Sequence, residues 1–402
     1  MKHLFINSLA GTAGGGLTYI RNVIPHLAAL PDLQITVALP PGLQREFRAL
    51  SNVVLRELQL PTVRRFWYEQ SGLPAVIQRC RADVLLSAGN FALRKSPVPQ
   101  ILLSRNSIYT SADFYRDLRS RHEYGAWLDT QLRALLAKRS IDWADVTVAP
   151  SEAFAAELRR WTGLNVRAIH HGFDSEAFTR DSSPLPPDIQ ERLSCAEGTL
   201  KLLFVSHYNY YRNFETLLRA LPPLRKQLAG RAIKLFLTCK LLPGENPGTY
   251  NPATAARLVK ELGISDVVVE LGSIPYHRLH GLYHSADIYV TPAYTETFAH
   301  PLVEAMASGL PVVASDLAVH REICGDAAEY FPRFSPEALA EKVAEIARSS
   351  DRSRKMAAAG LERSREFSWK RHAEKILQLS DELIESKGSR ALDARQSRES
   401  VA

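Results

Sequence analysis

Cysteine is scarce in this chain: four residues in 402, Cys80, Cys195, Cys239 and Cys324, far apart and never in Cys-x-x-Cys spacing. That excludes a structural zinc site and fits a reducing compartment. No uninterrupted apolar run approaches the roughly 18 residues a membrane span needs. Met1–Asn7 carries one lysine ahead of a glycine cluster, too short for a secretory leader and suited to a first strand. A cytoplasmic location is expected. Blocks of Lys/Arg interleaved with aromatics are missing, so nucleic acid is a poor partner. No Gly-x-Gly-x-x-Gly loop and no Gly-Lys-Ser/Thr follows the first strand, which disfavours a nicotinamide or flavin cofactor and excludes a P-loop. There is also no Asp-x-Asp pair to hold a metal, so no metal site is expected.

The length and the 46% hydrophobic content allow two full cores. The net charge of +7 suits an anionic substrate or an anionic membrane surface, and solubility explains it equally well. Arg64, Arg65, Arg94, Lys95, Arg116, Arg119, Arg121, Arg133, Lys138 and Arg139 enrich the first half in positive charge. Peripheral contact with the inner face of a membrane would follow from such a face.

The most informative stretch is Thr295–Ser315, TETFAHPLVEAMASGLPVVAS. It follows the β-branched and aromatic run Asp287–Pro292, which reads as a buried strand. Pro301 suits a first helical position, Leu302–Ser308 is rich in helix formers, Gly309 suits a left-handed cap, and Pro311–Ala314 reads as the next strand. A loop at the carboxyl end of a parallel strand and at a helix N-terminus favours an anion. Glu296 and Glu304 frame that loop, and each is expected to accept a hydrogen bond from a hydroxyl group. A sugar nucleotide combines the phosphate and the hydroxyls such a site needs.

Elsewhere, strand and helix alternate. Leu4–Asn7, the glycine cluster Gly11–Gly16 and an amphipathic helix from about Leu17 bring backbone N–H groups close to a phosphate. Arg105 and Asn106 directly follow the strand Gln100–Leu103, as site residues or as helix caps. The proline-rich 179–198 marks a domain edge, after which a second strand series begins at Lys201–Ser206. Its first loop, His207–Asn213, carries Arg212, whose forked guanidinium suits a diphosphate. The expected architecture is α/β: two Rossmann-like domains, 1–180 and 199–368, facing across a cleft. A terminal helix over 369–386 and a disordered tail over 387–402 complete it.

These residues resemble the retaining glycosyltransferases of the GT-B fold, closest to the large family 4. The resemblance rests on Gly14-Gly15-Gly16, on His170-His171-Gly172-Phe173-Asp174 with Phe178, on Arg212-Asn213, on Glu296 and Glu304 as an E-x7-E signature, and on Phe367-Ser368-Trp369. It implies an acceptor-binding first domain, a donor-binding second domain and a terminal helix that crosses back onto the first. It further implies that Glu296 contacts the donor sugar and Glu304 holds the nucleotide ribose. The N–H groups of Thr297, Phe298, Ala299 and His300, with Gly15 or Gly16, would meet the diphosphate. Arg212 would neutralise the leaving group. Ser206-His207 stands where the family has Gly-Arg, so His207 would replace a cation; Arg105-Asn106 stands where a histidine is common; Ala299 replaces a glycine. The implied reaction is metal-independent, cofactor-free transfer of a hexose or deoxyhexose from an NDP-sugar to a glycan or lipid-linked acceptor. A sugar-nucleotide 2-epimerase of the same fold, or a non-catalytic sugar-nucleotide-binding relative, is the alternative.

Overall fold

Among the described residues thirteen strands, nearly all apolar and most buried along their length, build two parallel sheets. The computed structural model describes residues 1–11, 15–47, 49–180, 183–246, 248 and 250–399. Residues 12–14 of the glycine cluster, and 181 and 182 of the proline-rich segment, lie outside the described residues. The first sheet contains β1 (Lys2–Asn7), β2 (Leu33–Leu39), β3 (Val53–Glu57), β4 (Val84–Ser87), β5 (Gln100–Leu103), β6 (Val146–Ala149) and β7 (Val166–Ala168), ordered 3-2-1-4-5-6-7. The second contains β8 (Leu200–Phe204), β9 (Ile233–Leu237), β10 (Val268–Glu270), β11 (Ile288–Thr291), β12 (Val312–Ser315) and β13 (Ala328–Phe331), ordered 10-9-8-11-12-13. Every pairing is parallel, as strands covered on both faces by helices require. The edge strand β3 has no counterpart in the expected strands, because it is mostly exposed and its apolar run is only Val53-Val54-Leu55.

The chain divides into two compact units. One holds residues 1–110, 125–172 and 368–402; the other holds 111–124 and 173–367. The change of unit falls at Gly172/Phe173 rather than near 180. Aromatic packing explains this, since the Phe178 ring lies 5.6 Å from Tyr276, 5.6 Å from His280 and 6.0 Å from Tyr283. Residues 111–124, which sit in the first half of the sequence, join the second unit through the helix Ala112–Ser120 and its ion pairs.

The helix that starts at Trp369 completes the first unit's core. Trp369, Ala373, Ile376 and Leu379 are buried among Leu4, Ile6, Tyr19, Val23 and Leu27. It continues to Glu399, so most of the tail expected to be disordered is helical. The Ala, Leu, Arg, Gln and Glu residues of that stretch are strong helix formers, which outweighs its polarity. Residues 400–402 lie outside the described residues.

Candidate functional site

In both sheets the strand order reverses once, between β1 and β4 and between β8 and β11. Loops leaving the carboxyl ends of the strands beside such a reversal diverge and leave a crevice. In the second unit the two loops are those after β8 and β11, and they carry Arg212 and Glu296. The topology therefore explains why residues 84 positions apart meet: the Arg212 guanidinium is paired with the Glu296 carboxylate. Both are largely buried, and the Arg212 guanidinium also lies 5.3 Å from the centroid of the neighbouring Tyr211 ring. The expectation of a hydroxyl partner for Glu296 is thus replaced by a cation.

Asn213 holds the arginine loop in place. Its backbone is left-handed, with φ 56°, a conformation that asparagine tolerates better than most residues. Its amide donates to the carbonyls of Pro292 at 3.0 Å and Arg333 at 2.7 Å, which ties the loop after β8 to the end of β11. The sequence places Asn213 beside Arg212, but nothing in the sequence shows this bridging role.

Glu304 lies in the helix His300–Ala307, fully enclosed, and accepts a hydrogen bond from the Tyr283 hydroxyl at 2.8 Å. The hydroxyl expected for this carboxylate is there. Burial raises the Glu304 pKa to about 7, and the Tyr283 hydrogen bond offsets part of that rise. At neutral pH the group is poised between its two protonation states. Tyr283 itself is 21 residues away in sequence, with no local signal to announce it.

The intervening loop is packed tightly. Phe298 is buried against Phe367 at 5.3 Å and His300 at 4.8 Å, so its side chain serves packing and only its backbone is left for a ligand. The Thr297 N–H donates to the Glu296 carboxylate at 3.3 Å. Ala299 caps the helix at φ 63° and ψ 63°, a left-handed geometry that costs an L-residue with a Cβ roughly 1–2 kcal/mol. Ala299→Gly should therefore stabilise the protein by about 0.5–1 kcal/mol after the added freedom of the unfolded chain is subtracted. A denaturation midpoint that rises checks this; one that falls shows that the alanine is unstrained.

His207 is exposed at the end of β8, yet partial burial and the nearby Arg212 charge lower its pKa from the ordinary 6.5. Both effects favour its neutral form over the second cation that its position in the resemblance implied. Behind the loop, His320 is fully buried, and its Nδ1 lies 2.8 Å from the Ser315 carbonyl, so that nitrogen carries the proton. Ser315 in turn donates to the Ala293 carbonyl. This chain, which sequence reasoning missed, braces the backbone just before Glu296.

The first unit builds its own crevice at the reversal between β1 and β4. Gly15 and Gly16 open the helix Gly15–Ala28. A Cβ on Gly16 would lie 3.0 Å from the Gly11 Cα and 3.6 Å from the Arg105 guanidinium, so glycine there keeps backbone and cation close. Arg105 reaches from the end of β5 to the Ala88 carbonyl at 2.7 Å and stacks 5.1 Å from the Tyr19 ring centroid. Burial lowers its pKa to about 10, which leaves it charged at neutral pH. Asn106 instead caps the turn Ser107–Tyr109, accepting from the Ile108 N–H at 3.3 Å. Among the described residues no group of three or more His, Cys, Asp or Glu is placed to hold a metal ion, and no helix is long and apolar enough to cross a membrane.

Two family profiles match the chain: that described as glycosyl transferases group 1 over residues 187–363, and that of glycosyltransferase family 4 over 13–177. Among curated relatives, the D-inositol 3-phosphate glycosyltransferase of Corynebacterium aurimucosum is 25% identical over 249 residues, 60% of this chain and 58% of that protein. A second such protein, from Catenulispora acidiphila, is 33% identical over 44% of this chain and 41% of that protein. The matched stretches thus span about half the length of these relatives. Among solved structures, sucrose-phosphate synthase from Thermosynechococcus elongatus superposes with a TM-score of 0.74 at 18% identity, covering 96% of this chain and 100% of that one. HepE from Anabaena in complex with UDP-glucose superposes with a TM-score of 0.71 at 17% identity, covering 95% and 100%. Two doubly wound parallel sheets, an intact Glu-x7-Glu signature and profile matches over both halves lead to one assignment: the chain belongs to the group 1 (family 4) glycosyltransferases of the GT-B fold.

Proposed function

We propose that the protein is a retaining, metal-independent glycosyltransferase that moves a hexose or deoxyhexose from an NDP-sugar to a glycan or lipid-linked acceptor. The pairing of Arg212 with Glu296 at the strand-order reversal, with Glu304 enclosed in the adjoining helix, carries this reading. Arg212 is assigned to the diphosphate, where a fixed cation stabilises the charge that develops as the nucleoside diphosphate leaves. Glu296 is assigned to the donor sugar's hydroxyls and Glu304 to the ribose. Backbone N–H groups of Ala299 and His300 at the helix start add donors for phosphate. In the first unit, Gly15 and Gly16 are assigned to phosphate contact and Arg105 to a sugar hydroxyl. The solved structures of HepE with UDP and with UDP-glucose make UDP-sugars the first donors to try. The basic residues of the first half support peripheral contact with an anionic membrane surface.

Glu304 gives the sharpest test. Its folded pKa of about 7 exceeds the ordinary 4.5, so between those values the folded protein holds a proton that the unfolded chain releases. Its contribution to stability therefore declines as pH rises from about 4.5 through 7, by roughly 3 kcal/mol in all. Glu304→Gln removes that burden: the variant should melt above wild type at pH 8 and show a much smaller advantage at pH 5. The same change should weaken UDP or GDP binding about 10- to 100-fold, because a charged acceptor for two ribose hydroxyls becomes a neutral one. Thermal-shift titrations with UDP-, GDP- and dTDP-sugars check both points, and a nucleotide that stabilises both proteins equally rules out the ribose role. Retention itself is read from the anomeric configuration of the product.

A further inference from the structure

A pocket of about 890 Å³ in the second unit is lined by none of Arg212, Glu296 and Glu304. Its walls are the helix Ala112–Ser120 with residues up to Glu123, the start of the helix Phe214–Gln227, residues 251–257 and the segment around Phe334.

Four arginines and four carboxylates line this pocket, but they are not paired one to one. Each of its four carboxylates already has a partner within the protein. Asp113 is held by Arg116 at 2.8 Å and Arg333 at 2.6 Å. Asp117 takes Arg121 at 2.7 Å and the Tyr294 hydroxyl at 2.8 Å. Glu215 takes Arg121 and the Tyr208 hydroxyl, and Glu123 takes the Tyr210 hydroxyl. Two of the arginines are not taken up by these carboxylates. Arg219 is exposed on the pocket wall and makes no ion pair among the described residues. Arg257 has only Glu261 of its own helix, at 3.3 Å with both side chains exposed, a pairing of little worth. The pocket therefore has donors to spare for an anion and few acceptors left for a cation.

A second observation narrows the ligand. Phe334 is 51% exposed although it lines the pocket, and its ring lies 5.5 Å from that of Tyr294. An aromatic face left open beside polar groups suits a ring whose C–H side is apolar and whose edge carries hydroxyls. Asn251 and Thr254 stand on the same wall to meet such hydroxyls.

We infer that this pocket binds a phosphorylated sugar, with the phosphate on Arg219 and Arg257 and the sugar ring against Phe334. The site is separate from the one assigned to the nucleotide and does not rest on that assignment. Calorimetric titration of the full chain with glucose 6-phosphate, inorganic phosphate and glucose tests it. Glucose 6-phosphate should bind more tightly than either of the other two. Arg219→Glu should weaken it at least about tenfold, and Phe334→Ala should weaken it while leaving the affinity for inorganic phosphate unchanged. UDP titrated into Arg219→Glu should bind as it does to wild type. The inference is overturned if glucose 6-phosphate shows no binding at millimolar concentration, if inorganic phosphate or glucose binds equally well, if Arg219→Glu changes nothing, or if UDP affinity is lost along with it. Failure of UDP to bind wild type would count against the nucleotide site alone.

Discussion

An Arg212→Ala variant should lose about 10²–10³-fold in kcat, the usual effect of deleting one preorganised group that faces developing charge. Nucleoside diphosphate should also bind it more weakly, for two reasons that add. The cation is gone, and the Glu296 carboxylate it neutralised now faces the phosphates. Glu296→Gln separates the two effects. It leaves Arg212 without its counterion, so UDP or GDP should bind that variant a few-fold more tightly than wild type, as release from a partly exposed ion pair allows. Turnover of the intact sugar nucleotide should nonetheless fall, because the acceptor for the sugar hydroxyls has lost its charge. Opposite changes in nucleotide affinity, with activity falling in both variants, are the expected pattern. Equal losses of affinity would show that the pair is a structural brace and that neither residue meets the nucleotide.

Gly172→Ala should be among the most damaging single-methyl changes in the chain. A Cβ at this position would lie 1.9 Å from the Trp369 nitrogen, 2.3 Å from its Cα and 2.4 Å from the Ser368 carbonyl carbon. These are backbone atoms at the start of a helix, which cannot rotate away as a side chain could. Overpacking ordinarily costs about 1–3 kcal/mol, and here relief requires moving the whole helix, so a loss of at least about 3 kcal/mol is expected. The neighbourhood adds to the damage. The Tyr19 hydroxyl lies 3.0 Å from the His372 Nε2, and the His372 Nδ1 lies 2.8 Å from the His170 carbonyl. Displacing the helix breaks both contacts, and the Tyr19 and His372 side chains that make them are buried. Chemical denaturation of the variant reads the loss directly; a midpoint within error of wild type would mean that the close approach at Gly172 is not required.

Gly172 also shows how far the sequence could be read. The motif His170–Asp174 pointed to a special position, yet only the fold reveals that the reason is the passage of residues 368 and 369 against it. The two parallel sheets were legible because buried strands such as Leu4–Asn7 and Ile288–Thr291 carry dense β-branched and apolar runs. The Arg212 and Glu296 loops were legible because each follows such a strand. What could not be read depends on partners distant in sequence. Tyr283 under Glu304, Asn213 bridging Pro292 and Arg333, and the assignment of 111–124 to the second unit all lie on side-chain contacts that no local pattern encodes. At His207 the influence is electrostatic: burial and Arg212 both lower its pKa.

The way the terminal helix completes the first unit also governs how the protein is made. Leu4, Ile6, Tyr19 and Val23 leave the ribosome well before the residues that close over them, Trp369 to Leu379. The intervening segment from 173 to 367, together with residues 111–124, builds the second unit. At about 5–20 residues per second that segment takes roughly 10–40 s to synthesise, and the first unit must wait with part of its apolar face uncovered. The first unit is therefore completed after the second, and a nascent chain arrested before Trp369 should be protease-resistant in its second unit and susceptible in its first.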